Sequence, residues 1–249
     1  MRVDFPQLRL VIHVGTAVGL PCYNGTDERD IRLGDVVIGN CKDSPENSIV
    51  SYSRMIPTLR EMFNPPPQIV RDVLGRLDLA TASHGNLIMA EVNKLLAKNE
   101  YYANRSGKIP DFSTDLLFRS DYAHADEYKA CDKACDKANL CPARPERRNN
   151  LPVIHQGTIG TSGTLWEDAE GRDNIMRLNP DFLCLDTPLY LTDKEWPVLA
   201  IRGISNYADS HVNKKWKAYP SLTAGAVAKM ILNELSVEDV LAQRRMGIY

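Results

Sequence analysis

Short runs of apolar residues, rich in Val, Ile and Leu, recur along this chain. Runs of this kind without polar alternation are typical of strands that are buried on both faces. They predict strands over Leu8–Val14, Ile31–Ile38, Ser48–Tyr52, Val153–Gly157, Phe182–Leu185 and Val198–Ile201. The small residues of Gly15–Gly19 predict a tight turn after the first strand, where a backbone can approach a ligand closely.

Helical patterns lie between these strands. After the rigid breaker Asn64–Pro67, apolar residues recur at helical spacing at positions 69, 70, 73, 74 and 77, so we expect a helix there. The same spacing predicts helices over Asn86–Ala97, Thr164–Met176, Ser221–Glu234 and Val237–Arg245. Ser221 is the expected cap of its helix, because a serine hydroxyl accepts from the free N–H groups of the first turn.

The alternation of strands and helices favours an α/β fold with a parallel or mixed sheet. At 249 residues the chain is long enough for one large core, so we predict a single domain over 1–249. Residues 99–150 break the pattern with polar residues and prolines, and we predict an irregular insertion at about 119–150. Just before it, Asp115–Phe118 predicts a short buried piece.

Charge and composition exclude several partners. Thirty Lys and Arg residues against 32 Asp and Glu residues give a formal charge of −2, so the chain has no overall basic footprint for nucleic acid. Charges interrupt the first apolar stretch, and no apolar run approaches the roughly 20 residues of a membrane span. We therefore expect no secretory signal and no membrane segment. Six cysteines in such a chain favour free thiols in a reducing, cytoplasmic setting.

Candidate chemistry concentrates around the end of the last predicted strand. The run PVLAIRGISNYADSH, at Pro197–His211, passes from apolar residues to hydrogen-bonding side chains that include Arg202, Asn206 and Asp209. Ligands of open α/β sheets bind beyond the carboxyl ends of such strands. Side chains that both donate and accept hydrogen bonds suit a planar polar heterocycle, so we expect a binding site there.

Each candidate also has a structural interpretation. Asn206 suits the cap of a turn as well as contact with a ring, and Asp209 suits a helix cap. If Arg202 is buried it needs a carboxylate partner, either Asp209 or Asp186. His155 is explained equally well as a hydrogen-bonded core histidine and as a ligand contact.

The run at Pro197–His211 resembles the VIRGICDYADSH segment of the nucleoside phosphorylase and nucleosidase superfamily, in its fungal-type branch. Further blocks follow the family's order: VIHVGTAVGLP, DIRLGDVVIG, VIHQGTIGTSG and PSLTAGAVAKMIL, at 11–21, 30–39, 153–163 and 220–232. The likeness covers most of the chain. It implies a nucleoside phosphorylase-like fold, a three-layer α/β/α sandwich with a central mixed sheet, and chemistry at the N-glycosidic bond of a purine nucleoside.

The resemblance also implies site residues. Asn206 and Asp209 are the catalytic candidates. The substrate-binding candidates are Gly15, Thr16, Ala17, His155, Ser162, Asp186, Thr187, Arg202, Ser205 and His211. No cofactor is expected, although inorganic phosphate is a potential co-substrate. The expected partners are a small-molecule ligand and, since the family forms oligomers, further copies of the chain.

Three departures from the family's pattern concern the reaction itself. The family has a further segment before the block that matches 11–21. We expect no counterpart of it here, because Met1 stands almost directly before the first predicted strand. The ribose-binding Met-Glu pair is Thr187-Pro188 here, and proline offers neither a carboxylate nor a backbone N–H. The base-side aspartate is Asn206, which cannot protonate a purine. We therefore expect ordinary phosphorolysis to be weak or absent.

Three functions remain open at this point. The chain is an enzyme of this family with diverged N-glycosidic chemistry, an enzyme repurposed for a non-nucleoside small molecule, for example in secondary metabolism, or a non-catalytic sensor or interaction module. The third agrees with fungal relatives that carry such a domain in front of signalling or repeat domains. Release of free base identifies the first function, and binding without turnover identifies the third.

Three cysteines lie close together in CDKACDKANLC, at Cys131, Cys135 and Cys141. A structural zinc site needs four ligands, often with closely spaced cysteine pairs. The spacing fits in part, and His124 upstream could serve as a ligand, but no fourth ligand follows nearby. We therefore expect free thiols and no metal.

Overall fold

The strands and helices follow the predicted alternation. A computed structural model describes residues 7–23, 28–53, 60–77, 82–105, 108–126, 128–142, 144–147, 149–163, 168–187 and 196–243. The strands within these ranges are β1 Val11–Gly19, β2 Cys22–Tyr23, β3 Glu28–Arg29, β4 Val36–Gly39, β5 Ile49–Tyr52, β6 Arg60–Met62, β7 Ile154–Thr161, β8 Phe182–Asp186 and β9 Val198–Asn206. The α-helices there are α1 Gln68–Arg76, α2 Ala82–Lys98, α3 Glu100–Arg105, α4 Cys131–Ala134, α5 Ala169–Leu178, α6 Tyr219–Glu234 and α7 Val237–Ala242.

Seven strands form one mixed sheet in the order β4-β9-β1-β8-β7-β5-β6. The first half of β7 pairs with β4, and its second half pairs with β5. The pairing of β7 with β4 closes five strands into a ring, in the order β4, β9, β1, β8 and β7. Within the ring, β1 and β9 run parallel from Val11 and Val198 to Val18 and Asn206. β1 pairs with the antiparallel β8 on its other side. The candidate residues of β1, β8 and β9 are therefore on neighbouring strands.

Helices flank this sheet and enclose two apolar cores. α1, α2 and α6 contribute to the larger core through side chains such as Val73, Ile88 and Val227. α5 contributes Ile175 to a second core, where it packs with Phe182 of β8. The predicted α/β fold with a central mixed sheet and flanking helices is thus confirmed. Among the helices of the described ranges, none is both long and apolar enough to cross a membrane.

The first strand differs from the prediction. The tight turn expected at Gly15–Gly19 is wrong, because these residues continue β1 as far as Gly19. Hydrogen bonding to β9 on one side and β8 on the other outweighs the preference of glycine for turns. A glycine is still needed at the end of the strand, since a Cβ at Gly19 would lie 2.8 Å from Cγ2 of Ile204.

Two other strands have different limits from those predicted. β9 continues through Arg202 to Asn206, so Arg202 lies within the strand and not after it. β4 is shorter than predicted, because Gly34 adopts a φ of 87° and makes a turn just before it. A Cβ at Gly34 would lie 2.5 Å from Cε1 of Tyr219, so the turn also packs closely against α6.

The predicted helices are present and differ from the predictions at their ends, whereas α3 and α4 were not predicted. α6 begins at Tyr219, so the prediction that Ser221 caps it is wrong. Pro220 occupies the first turn, where its missing N–H has no intrahelical partner to lose. Asp168 caps α5 by accepting from the Gly171 N–H, and the predicted start of that helix at 164–167 lies outside the described residues. The predicted end of α7, at 244–245, also lies outside them.

The region at about 119–150 carries α4 and one 3₁₀ turn among its described residues. Phe118, just before it, is buried and forms an isolated bridge with Leu140, which confirms the short buried piece predicted there. Arg144 donates to Asp115 at 2.6 Å and to the Tyr207 hydroxyl at 2.8 Å. These contacts attach the region to the chain that follows β9.

Asp35, in the turn before β4, is a fully buried carboxylate that several donors share. It accepts from both terminal nitrogens of Arg147 at 2.7 and 2.8 Å, and His155 Nε2 lies 3.0 Å from it. It also accepts from the backbone N–H groups of Arg32 and Val153, each at 2.9 Å. Burial alone would raise the pKa of Asp35, but the hydrogen bonds from Arg147 and His155 outweigh it and lower the pKa to about 2.

Two glycines provide a matched test of the packing. A Cβ at Gly203 of β9 would lie 1.9 Å from the Pro220 carbonyl oxygen, whereas a Cβ at Gly75 of α1 meets nothing within 4 Å. Gly203→Ala must push α6 away from β9, so we expect it to destabilise the fold by at least about 3 kcal/mol. Gly75→Ala should stabilise it by up to about 1 kcal/mol, because alanine favours helix. Urea unfolding measures both, and a Gly203→Ala protein as stable as wild type would contradict this packing.

Asp35→Asn should reduce the sensitivity of the fold to acid. A carboxyl group whose pKa is about 2 in the folded state and about 3.9 when unfolded stabilises the fold fully above its unfolded pKa. That contribution is lost as the pH falls from about 4 to about 2. The free energy of unfolding should therefore fall less steeply across this window in the variant than in wild type.

At pH 7 the same substitution should cost about 3 kcal/mol, because Arg147 loses its buried counter-charge. The control is Asp121→Asn, which removes an exposed ion pair with Arg119 and should change stability by less than about 1 kcal/mol. Urea unfolding at a series of pH values measures both effects. Equal slopes for Asp35→Asn and wild type below pH 4 would show that this carboxylate does not stay ionised in the folded protein.

Candidate functional site

A buried ion pair links the last residue of β8 to the middle of β9. Arg202 Nε donates to Asp186 Oδ2 at 2.5 Å, and the two residues are 1% and 7% exposed. Arg202 Nη1 donates to the His13 carbonyl oxygen at 2.6 Å, and Nη2 lies 2.6 Å from His13 Nδ1. Of the two carboxylates considered for Arg202, the structure pairs it with Asp186.

His13 of β1 completes this arrangement and was not among the predicted site residues. Burial and, next, the Arg202 guanidinium lower its pKa, against an opposing effect of Asp186. The lowered pKa favours the neutral ring, whose Nδ1 lone pair can accept the Arg202 N–H. Sequence reasoning missed His13 because it stands inside an apolar strand pattern. The available signal was a lone polar side chain between valine and isoleucine neighbours.

Neighbouring backbone groups fix the Asp186 carboxylate further. Asp186 Oδ1 accepts from the Thr187 N–H at 2.8 Å. The backbone carbonyl oxygen of Asp186 accepts from the Ser162 N–H at 3.2 Å. Thr161 Oγ1 donates to the Thr187 carbonyl oxygen at 3.1 Å. The structure therefore brings Ser162, Asp186, Thr187 and Arg202 together. Pro188, the next residue, lies outside the described residues.

The β1 candidates lie beside those of β9. In the parallel ladder Gly15, Thr16 and Ala17 are paired with Arg202, Gly203 and Ile204. The Arg202 side chain runs over Gly15, where a Cβ would lie 3.9 Å from its guanidinium carbon. Ser205 Oγ donates to the Ala17 carbonyl oxygen at 3.3 Å. These contacts join the ends of the two strands.

Asn206 is half-buried at the end of β9. Its Oδ1 accepts from the Ala208 N–H at 3.0 Å and so caps a turn in which Ala208 adopts a φ of 54°. Asn206 therefore caps a turn, as one of its two interpretations predicted. Its amide nitrogen donates to no group within the described part of the chain.

His155 and Asp209 belong to other networks. His155 bonds Asp35 near the start of β7, at the opposite end of that strand from Ser162. Asp209 is 3% exposed, its Oδ1 accepts from the His211 N–H at 2.9 Å, and its Oδ2 lies 3.6 Å from Arg172 Nη1. The contact of His155 matches its interpretation as a hydrogen-bonded histidine. Asp209 accepts within a turn and not at the start of a helix, because the 3₁₀ turn that follows is capped by Asn213. Their roles toward a ligand stay predictions.

His211 lies in a cluster with His124, Cys131 and Cys135. Each residue offers one ligand atom, and these atoms all lie within 4.8 Å of one another. Burial and, next, the neighbouring Cys135 raise the pKa of Cys131 to about 12. Spacing along the chain did not reveal the fourth residue, because His211 follows Cys135 by 76 positions. Cys141, the third cysteine of the sequence cluster, is not part of this group.

The segment from Asn206 to His211 is held from several directions. The Tyr207 hydroxyl donates to Asp115 Oδ1 at 2.5 Å, and Arg172 Nη1 donates to the Tyr207 carbonyl oxygen at 3.2 Å. A cavity of about 510 Å³ opens beside Arg172, between the chain after β1, residues 117–120 and α5. None of the site residues predicted from the sequence lines this cavity.

Comparison with known proteins gives one curated relative and a group of solved structures. No protein-family model matches the chain. A "Nucleotide-binding leucine-rich repeat (NLR)-like protein" of Hyaloscypha variabilis is 24% identical over 249 residues, which is 98% of this chain and 23% of that protein. The chain thus spans less than a quarter of the length of this relative.

Solved structures with a similar course of the chain include nucleosidases and a futalosine hydrolase. A 5′-methylthioadenosine/S-adenosylhomocysteine nucleosidase from Neisseria meningitidis, in complex with methylthio-immucillin-A, is 16% identical with a TM-score of 0.47, covering 94% of this chain and 73% of that one. Futalosine hydrolase of Helicobacter pylori is 10% identical with a TM-score of 0.46, covering 94% and 72%. These are proteins to which the chain is similar.

Proposed function

We propose that this chain is a nucleoside phosphorylase-like or nucleosidase-like domain that binds a nucleoside-type heterocycle beside Asn206 and cleaves N-glycosidic bonds weakly. The observation that carries the proposal is the position of Asn206 itself. Its oxygen is engaged in the turn to Ala208, while its amide nitrogen, at the half-buried strand end, has no partner among the described residues. That nitrogen can donate to a ring nitrogen or an exocyclic oxygen of a heterocycle.

The buried pair of Arg202 and Asp186 acts in this proposal as the support of the site. A guanidinium has five N–H donors, and four of those of Arg202 bond Asp186, His13 and the Ile201 carbonyl oxygen. Asp186 balances the charge of Arg202, and few of the Arg202 donors are left for an anionic co-substrate such as phosphate. The pair instead links β8 to β9 across β1, the strand between them, and β9 carries Ser205 and Asn206 at its end.

Weak cleavage follows from the charges that the reaction develops. Breaking an N-glycosidic bond builds positive charge on the sugar and negative charge on the base. The position that matches the family's ribose-binding glutamate is Pro188, which offers no carboxylate. Asn206 can hydrogen-bond the departing base but cannot give it a proton. Both ends of the bond therefore lack a group that the transition state needs.

A non-catalytic ligand sensor is the second candidate function, and the curated relative favours it. Nearly the whole chain corresponds to less than a quarter of a protein described as NLR-like. A domain of this kind within a larger signalling protein needs to bind a ligand but does not need to turn it over. The two functions share the site at Asn206 and differ only in the chemistry that follows binding.

Base release from nucleosides should be slow. Losing one well-placed transition-state hydrogen bond costs about 10²–10³ in rate, so we expect turnover far below the 1–10³ per second that is typical of enzymes. The assay uses inosine, guanosine, adenosine and 5′-methylthioadenosine, with and without phosphate, and calorimetry measures binding of the same compounds. Binding with no base released favours the sensor, and turnover at ordinary rates contradicts the proposed weak chemistry. A protein that binds none of the four compounds would point to the repurposed enzyme.

Restoring the family's residues should raise the rate. Asn206→Asp keeps an oxygen for the Ala208 N–H and adds a group that can carry a proton, and Pro188→Glu adds the missing carboxylate. We expect the double variant to release base at least about tenfold faster than wild type. Asn93→Asp, at an exposed position of α2, is the control and should leave the rate unchanged. A double variant that binds the nucleoside as wild type does, yet releases base no faster, would count against an inherited nucleoside site.

A further inference from the structure

We propose that His124, Cys131, Cys135 and His211 bind one Zn²⁺ ion, which joins the irregular insertion to the segment that follows β9. The site does not depend on the function proposed above, because none of its four residues hydrogen-bonds the Asn206 side chain, which carries that proposal. It uses side chains from two parts of the chain that lie far apart in sequence.

The distances between the ligand atoms fit a tetrahedral metal ion. With Zn–S bonds of about 2.3 Å and Zn–N bonds of about 2.0–2.1 Å, a tetrahedral site separates sulfur from nitrogen by about 3.6 Å. His211 Nδ1 lies 3.6 Å from Cys135 Sγ and 3.7 Å from Cys131 Sγ. His124 Nδ1 is closer to Cys135 Sγ, at 3.0 Å, and lies within 4.8 Å of the other two ligand atoms, so its ring must move away from that sulfur for a tetrahedral site.

The surroundings of His211 orient it as a metal ligand. Its Nε2 lies 2.9 Å from the Tyr122 carbonyl oxygen, which fixes the proton on Nε2 and leaves the Nδ1 lone pair toward the sulfurs. The ring also stacks on Phe118, with 4.1 Å between the ring centroids, and on Tyr122, with 5.6 Å. These contacts set the plane of the imidazole as the second shell of a metal site does.

Backbone contacts bring the two halves of the cluster together without the metal. The His124 N–H donates to Ser210 Oγ at 2.9 Å, so the chain before Cys131 lies against the residue just before His211. Three residues separate Cys131 from Cys135, and the one-turn helix α4 between them places both sulfurs toward His211. Short spacing of this kind is common in zinc sites.

The ligand set indicates the metal and its role. Two thiols and two imidazoles in tetrahedral arrangement are typical of zinc. Four protein ligands leave no open position for water or substrate, which is the mark of a structural site rather than a catalytic one. Cys131 and His211 are buried, while His124 and Cys135 are half-buried. The region around α4 has little regular structure of its own, so a metal would supply the fixed point that it lacks.

The first experiment measures metal in the wild-type chain. The protein is purified under reducing conditions without a metal-affinity tag, and inductively coupled plasma mass spectrometry determines all transition metals. We expect close to one Zn²⁺ per chain. Replacement by Co²⁺ should give the visible d–d bands of a tetrahedral site together with thiolate-to-cobalt charge transfer. Removal of the metal by a strong chelator should lower the melting temperature by roughly 10 °C.

Variants test the assignment of the ligands. Cys135→Ala and His211→Asn should lose most of the bound zinc and the tetrahedral cobalt bands. Cys141→Ala is the matched control, because this cysteine lies in the same sequence cluster but outside the four-residue group. It should keep both signals.

Three results would overturn the proposal. They are a wild-type chain that takes up no transition metal after refolding with zinc, a disulfide between Cys131 and Cys135 in the freshly purified protein, and full zinc content in Cys135→Ala. Because the first two results are measured on the wild-type chain, the test holds even where a ligand variant fails to fold.

Discussion

A single buried carboxylate holds together the parts of this chain that support the candidate site. Asp35 cannot be removed from water as an anion unless its donors stay in place, and those donors come from β7 and the insertion. The carbonyl oxygen of the same residue accepts from the Ile204 N–H at 2.8 Å, two residues before Asn206. The hydrogen bonds that compensate the buried charge of Asp35 therefore set the position of β4 between β7 and β9. The strand end that carries Asn206 follows from that position.

Most of the secondary structure could be predicted from the sequence, because long apolar runs and helical spacing reflect burial directly. β5 and β8 lie within one residue of the predicted limits, and α1 starts directly after the proline run. The predictions failed where pairing decides the conformation. Gly15–Gly19 has the composition of a turn, but partners on both sides make it strand. No pattern within those five residues records the presence of β9 or β8.

The candidate site was predictable only in part, for a related reason. The resemblance pointed to Arg202 and Asp186, and the structure joins them. The resemblance did not indicate that His13 also contacts Arg202. His211 appeared as a residue of the strand-end motif, whereas its ring lies among two cysteines and a second histidine. Hydrogen-bond and ligand partners that are separated by many positions leave no local signal. Spacing rules work only where both partners share one element.

The closed ring of five strands also governs the order in which the chain can fold. β1 lies near the start of the chain and its parallel partner β9 near the end, so their ladder joins residues separated by most of the sequence. Contacts this distant form late and slowly, because a long loop must close first. During synthesis at about 5–20 residues per second, β1 must wait on the order of 10 s for β9 to leave the ribosome. An apolar strand exposed for that time is a target for chaperones and a place where aggregation can begin.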